Sequence, residues 1–247
     1  MRASALTFRR PPAAMRFLIP LGAFGLGAIA SANGLITDIL DYWEDIVFLS
    51  GQHMELVLTA GGLAIATGVP LGVLLSRPHL RRVAETIMQT LNIGTTIPTL
   101  AVLALSMTLL GLGFVPAVFG LWLATLLPIT RNAYTGLLEV PAHLKEAATG
   151  MGMTPLQMLW RVELPNALFV IFAGIRTALA VCVGTAPLAF LIGGGGLGEL
   201  IFTGIDLSDP GMMLAGAIPT ALLAFLTDFA IGRCQMWLVP RGVNPLR

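Results

Sequence analysis

Residues 139–165 read EVPAHLKEAATGMGMTPLQMLWRVELP, the longest amphipathic interruption in an otherwise apolar chain. Leu144, Ala147, Ala148 and Met151 recur at helical spacing, which predicts one apolar face of a short helix starting near Pro141. Proline suits the first helical position, where its missing N–H costs no hydrogen bond. Gly152 ends that helix, because glycine takes a left-handed backbone without a Cβ penalty. Thr154 is the expected N-cap of a second helix, with Pro155 at its first position and Leu156, Leu159 and Trp160 on its apolar side. The expected product is two short helices bent around a glycine, outside the bilayer and between two spans.

The rest of the 247-residue chain explains why that interruption stands out. It is 56% apolar and 11% charged, against roughly 25% charged in soluble domains. Its mean hydropathy is +0.86. Most side chains therefore face lipid or other apolar helices. The 16 prolines and 28 glycines are tolerated in membrane helices. A net charge of +1 implies no nucleic-acid partner. Cys182 and Cys234 fall in apolar segments and read as free thiols.

A span needs ~20 apolar residues. Six fit, at about 17–37, 54–76, 84–112, 114–138, 166–192 and 210–238, making an all-α membrane protein. Asp38, Asp41, Glu44 and Asp45 fill the expected loop from Asp38 to His53, and Glu199, Asp206 and Asp209 fill a second; neither carries Lys or Arg. Arg2, Arg9, Arg10, Arg16, Arg77, Arg81, Arg82, Lys145, Arg161, Arg233, Arg241 and Arg247 fall on the other side. The positive-inside rule then puts both termini and the 139–165 loop in the cytoplasm. The first span is read as uncleaved. Ala30-Ser31-Ala32 leaves open a cleaved signal peptide. Residues 1–50 thus read as a tail, a first span and an acidic external loop, and residues 51–247 as the core.

Within the spans, the small residues Thr59–Gly62 and Ala64–Gly68 read as helix packing. The third span is predicted to break at Asn92–Thr99, where Gly94 and Pro98 weaken the helix. Irregular backbone at membrane depth persists only where protein buries it or a watery path touches it. Thr95, Thr96, Thr99 and, from the fifth span, Thr185 are the candidate pathway residues; a proline kink without solute contact is the alternative. Arg131 is expected to snorkel to headgroups. Arg176 and Asp228 each lie about ten residues from an inner span end, hence ~15 Å deep at 1.5 Å per residue. They are predicted to pair and clamp spans five and six. Gly193–Gly196 lacks the G-K-[ST] of a phosphate loop and reads as a turn into a short re-entrant helix, Leu197 to Gly204.

Glu146-Ala147-Ala148, Gly152 and Val162-Glu163-Leu164-Pro165 together resemble the EAA loop of bacterial ABC importer permeases, E-A-A-x3-G-x9-I-x-L-P, with valine for isoleucine. The resemblance implies a type I ABC importer permease fold with cytoplasmic coupling helices that dock in a groove on an ATPase dimer. It makes Leu144, Glu146, Ala147, Ala148, Met151 and Gly152 the ATPase-coupling residues, with Glu146 a polar anchor. Gly174–Ala178, Gly184–Ala186, Gly193–Ile201 and Ala215–Pro219 are similar to glycine betaine, choline and proline importer permeases. That likeness implies a second permease copy, identical or related, and a periplasmic or lipid-anchored solute-binding protein. No binding domain is expected within the chain, since it ends just past the last span. A secondary transporter would also explain a broken third span. An enzyme would need clustered reactive groups, whereas His53, His79 and His143 are scattered over expected loops. No catalytic residue, metal or cofactor is implied.

Overall fold

A computed structural model of the chain describes residues 35–94, 96–240 and 242–243. The described residues are helical, with turns and no strand. A short helix α1 (Leu35–Asp41) precedes α2 (Trp43–Leu75). After a turn come α3 (Arg81–Gly94), α4 (Thr99–Leu110) and α5 (Phe114–Leu138). The elbow holds α6 (Ala142–Gly150) and α7 (Pro155–Met158). α8 (Leu164–Thr185), α9 (Gly198–Leu207) and α10 (Pro210–Leu238) complete the bundle.

Four helical stretches are long and apolar enough to cross a membrane: Trp43–Leu75, Phe114–Leu138, Pro155–Ile192 and Pro210–Leu238. Arg82–Gly94 and Thr99–Leu110 make a fifth if taken as one span bent by 100°. The span expected at 17–37 lies almost wholly outside the described residues. The break in the third span falls at the anticipated Gly94–Pro98, but the two arms turn almost perpendicular rather than kinking. α3 is amphipathic, with Glu85, Thr86, Gln89 and Thr90 exposed. Such a helix cannot be lipid-facing on all sides, which is why it leaves the line of α4.

The expected acidic loop from Asp38 to His53 is instead helical. Glu44 and Asp45 occupy the first turn of α2, where carboxylates favour the positive end of the helix dipole. Ile46, Leu49, His53, Leu56, Val57 and Ala60 are all buried along it. Their helical spacing carries the helix back to Trp43, about three turns before the expected start at residue 54 and through polar residues that had suggested a loop.

Lipid offers helices no hydrophobic drive to associate, so close packing holds them. Gly72 illustrates this: a Cβ there would sit 2.7 Å from Thr130 O, so only glycine lets α2 lie against α5. One apolar cluster joins Leu56, Leu103, Leu121, Val183 and Ala186. A second joins Ile129, Leu137, Ala167 and Ile171 toward the elbow. A third seats α9 and α10 on the start of α2 through Ile46, Leu49, Leu200 and Ala215. Of the two cysteines, Cys182 is buried and Cys234 exposed.

Candidate functional site

The elbow follows from its caps. Pro141, with φ −54° and ψ 133°, is the N-cap of α6 rather than its first residue. At the other end Gly152 has φ +75°. Its N–H donates to Thr149 O at 2.9 Å and the Met153 N–H to Ala148 O at 3.1 Å. That is a Schellman ending, which needs a left-handed residue at this position. Thr154 caps α7 as read from the sequence, and Gln157 adds what was missed. Thr154 Oγ1 accepts from the Gln157 N–H at 3.3 Å and Gln157 Oε1 from the Thr154 N–H at 2.9 Å. Such a cap is worth about 1 kcal/mol.

The second arm is not a separate rod, contrary to expectation. Leu159–Glu163 is a π-turn, with the Leu164 N–H bonded to Leu159 O, and it runs directly into α8. Pro165 sits at the start of α8, where its missing N–H is tolerated within the wider turn. The continuous helix that leads into this span therefore begins at Pro155, not after Pro165.

The apolar set of the first arm is split. Ala148 is buried and Leu144 half-buried, while Ala147 and Glu146 are exposed and Met151 is 68% exposed. Met151 lies past the last helical residue, so it leaves the inward face. Leu156 and Trp160 are also exposed, one helical turn apart. The elbow thus leaves Ala147, Met151, Leu156 and Trp160 exposed as an apolar rim, and Glu146 is exposed as well.

Its underside is ionic, a feature the sequence reading missed. Glu163, its side chain 8% exposed, accepts from Arg77 Nη1 at 2.7 Å and lies 3.7 Å from Lys145 Nζ. Lys145 Nζ also donates to Leu137 O at 3.3 Å. Arg77 is steadied by Ser76 Oγ at 2.8 Å and Val73 O at 3.2 Å. The available signal was an acid set among Leu159, Val162 and Leu164, on the same side as two unassigned cations.

Mid-bundle, Arg176 and Asp228 meet in a two-pronged ion pair, Nε to Oδ1 and Nη2 to Oδ2. Their side chains are 43% and 32% exposed in the single chain. Gly232, one turn from Asp228, leaves room under the guanidinium. Thr96 and Thr99 flank the broken span, and Thr95 lies outside the described residues. Thr96 Oγ1 donates to Ile93 O at 2.7 Å, the same carbonyl that accepts the Thr96 N–H at 3.0 Å. Thr185 ends α8, its hydroxyl donating to Val181 O at 2.9 Å. Thr185 and Thr96 thus turn their hydroxyls onto their own helices. Arg131 does not simply snorkel: its Nη1 donates to Asn92 Oδ1 at 3.1 Å, tying α5 to α3.

The opposite end corrects another reading. His53 is 0% exposed inside α2, not on a loop. Its Nε2 lies 3.1 Å from Val183 O. Neighbouring Gln52 Oε1 accepts the Gly196 N–H at 3.1 Å. Gly195 and Gly196, with φ +75° and +86°, let the loop turn tightly against these two residues. The Tyr42 hydroxyl donates to Asp209 Oδ2 at 2.9 Å, while Asp209 caps α10 through the Met212 N–H at 3.0 Å. The Met212 bond first, and Tyr42 second, hold the Asp209 carboxyl below its ordinary range.

Comparison with known proteins places this arrangement. Residues 68–239 match the family described as binding-protein-dependent transport system inner membrane component. The osmoprotectant import permease protein OsmY of Salmonella typhimurium is 53% identical over 81% of this chain and 84% of its own length. The choline transport system permease protein OpuBB of Bacillus subtilis is 41% identical over 82% and 93%. Among solved structures, a chain of the inward-facing MetNI methionine ABC transporter is 25% identical, with a TM-score of 0.71 over 79% of this chain and 96% of that one. The chain therefore belongs to the binding-protein-dependent inner-membrane transport components: it is a multi-pass ABC importer permease, the translocating rather than the ATP-hydrolysing part.

Proposed function

We propose that the chain carries glycine betaine, choline, proline or a related compatible solute inward, by alternating access driven from the elbow. The carrying observation is the elbow's outward apolar rim, Ala147, Met151, Leu156 and Trp160, beside exposed Glu146. Large apolar side chains left exposed on a loop outside the lipid call for a protein partner. A cytoplasmic ATPase dimer is that partner, and Leu144 and Ala148 join the docked arm to the bundle. Gly152 permits the bend and close approach. The solute class is supported by the osmoprotectant and choline permeases to which the chain is similar. A periplasmic or lipid-anchored binding protein delivers the solute to a pair of permeases, identical or related. The Arg176–Asp228 pair clamps α8 to α10, and Thr95, Thr96, Thr99 and Thr185 lie along the path. Acidic residues gather at the Gly193–Gly196 end and cations at the elbow end, which supports cytoplasmic termini.

The test is reconstitution of the permease with its ATPase and binding protein in liposomes. Uptake of radiolabelled glycine betaine should require ATP and all three components. Uptake driven by a sodium or proton gradient without the ATPase would sink the proposal.

A further inference from the structure

The ionic underside of the elbow has no role in the docking surface described above, and it occupies a position the EAA pattern leaves open. Glu163 stands between Val162 and Leu164. In a regular helix Trp160 and Glu163 would lie about 60° apart on one face. The π-turn widens that angle. Trp160 stays on the exposed rim while Glu163 turns inward to near-complete burial. Such turns are energetically poorer than α-helix and often mark functional positions.

The single carboxylate reaches three parts of the chain. Arg77 is just past the inner end of α2, Lys145 is on α6 beside Glu146, and Glu163 itself leads into α8. Lys145 adds a bond to Leu137 near the end of α5. Close packing holds the first arm chiefly through Ala148, which is buried. A cavity of about 880 Å³ lies against the ion-paired residues, lined by Arg77, Glu85, Lys145, Met153, Met158 and others. With so much open space beneath it, the first arm can pivot at its Pro141 and Gly152 ends unless something more ties it.

We infer that Glu163, held by Arg77 and Lys145, is a positioning residue that locks the angle between the elbow and spans α2 and α8, so that ATPase motion moves the spans rather than flexing the loop. This rests on the importer reading proposed above. It assigns the efficiency of coupling, not docking, to Glu163. Docking belongs to the outward rim. Loss of the brace should therefore leave ATPase bound and hydrolysing ATP while solute transport per ATP falls.

The experiment uses the complete reconstituted importer, with radiolabelled glycine betaine uptake and ATP hydrolysis measured in the same vesicles. Glu163→Gln keeps the shape and removes the charge. It should lower solute moved per ATP by about tenfold, within the range seen for residues that couple distant sites, with co-purified ATPase unchanged. Glu163→Asp should keep part of the coupling. Arg77→Gln should reproduce the defect, and Arg77→Gln with Glu163→Gln should be no worse than either alone. If Glu163→Gln fails to reach the membrane, Arg77→Gln and Glu163→Asp are read by the same ratio. An unchanged ratio in these variants overturns the inference, as does a loss of ATPase binding that accounts for the whole defect. A wild-type importer that transports nothing with ATP overturns the importer reading itself, a distinct result.

Discussion

At the elbow, Glu163 meets Arg77 across 2.7 Å beside a cavity of about 880 Å³. At the other end of α2, Gly196 lies against His53, where a Cβ would come within 3.3 Å of the His53 Cα. A Cβ on Gly198 would come within 2.0 Å of Pro187 O. One end is held by ion pairs around open space, the other by backbone contact and hydrogen bonds. The difference teaches where movement can enter. Ionic contacts in a roomy site break and re-form as a unit, whereas close-packed backbone shifts only with its neighbours.

The contrast can be tested most severely at Gly152. Gly152→Val puts a β-branched residue at φ +75°, where non-glycine residues cost roughly 1–2 kcal/mol. ATP-driven uptake should fall to background while the protein still reaches the membrane; retained uptake would break the link between elbow geometry and transport. Between the two ends, Arg176→Leu strands Asp228. An unpaired charge at the middle of a membrane helix costs roughly 2.5–3.5 kcal/mol. Melting of the detergent-solubilised protein should show that loss, and Arg176→Leu with Asp228→Leu should recover most of it. A double variant as unstable as the single one would argue against a clamp.

At the packed end, Gly198→Ala should cost about 1–3 kcal/mol by overpacking, read as a lower melting temperature. A loss confined to transport, with unchanged melting, would make that end a moving part too. The smallest effect is at Asp209. Its folded carboxyl titrates below its ordinary value of 3.8, so the unfolded chain binds the proton more readily. The resulting stability is present above about pH 4 and is lost as pH falls through the lower, folded value. Tyr42→Phe removes the second of its hydrogen bonds, so the acid loss in melting temperature below pH 4 should become slightly shallower. An identical acid profile in the variant would remove Tyr42 from that account.

The sequence made the elbow legible because caps are local. Gly152 and Thr154-Pro155 act within a few residues, so their roles could be read in order, and Pro141 was misplaced by a single position. The all-α permease class was equally open, from hydropathy and the spaced EAA pattern. What stayed hidden depends on partners far along the chain. Glu163 and Arg77 are 86 positions apart, and nothing in either neighbourhood names the other. Arg176 and Asp228 were legible as partners only because two charges at similar depth in lipid have few alternatives. His53 was misread because its acidic surroundings resembled a loop, although its spacing with Leu49, Leu56 and Ala60 already placed it on an apolar stripe. The merging of α7 into α8 was masked by Leu164-Pro165, since proline usually signals a helix boundary and the π-turn absorbs it instead.

The unequal exposure of the two thiols gives the molecule a built-in reporter. Cys234 is exposed on the single chain while Cys182 is buried, so a membrane-permeant maleimide fluorophore should attach selectively toward the inner end of α10 without any engineered cysteine. Trp237, 83% exposed and three positions along, lies on the same helical side and can quench it. Emission followed through a round of nucleotide turnover would time the stirring of the last span in the native sequence.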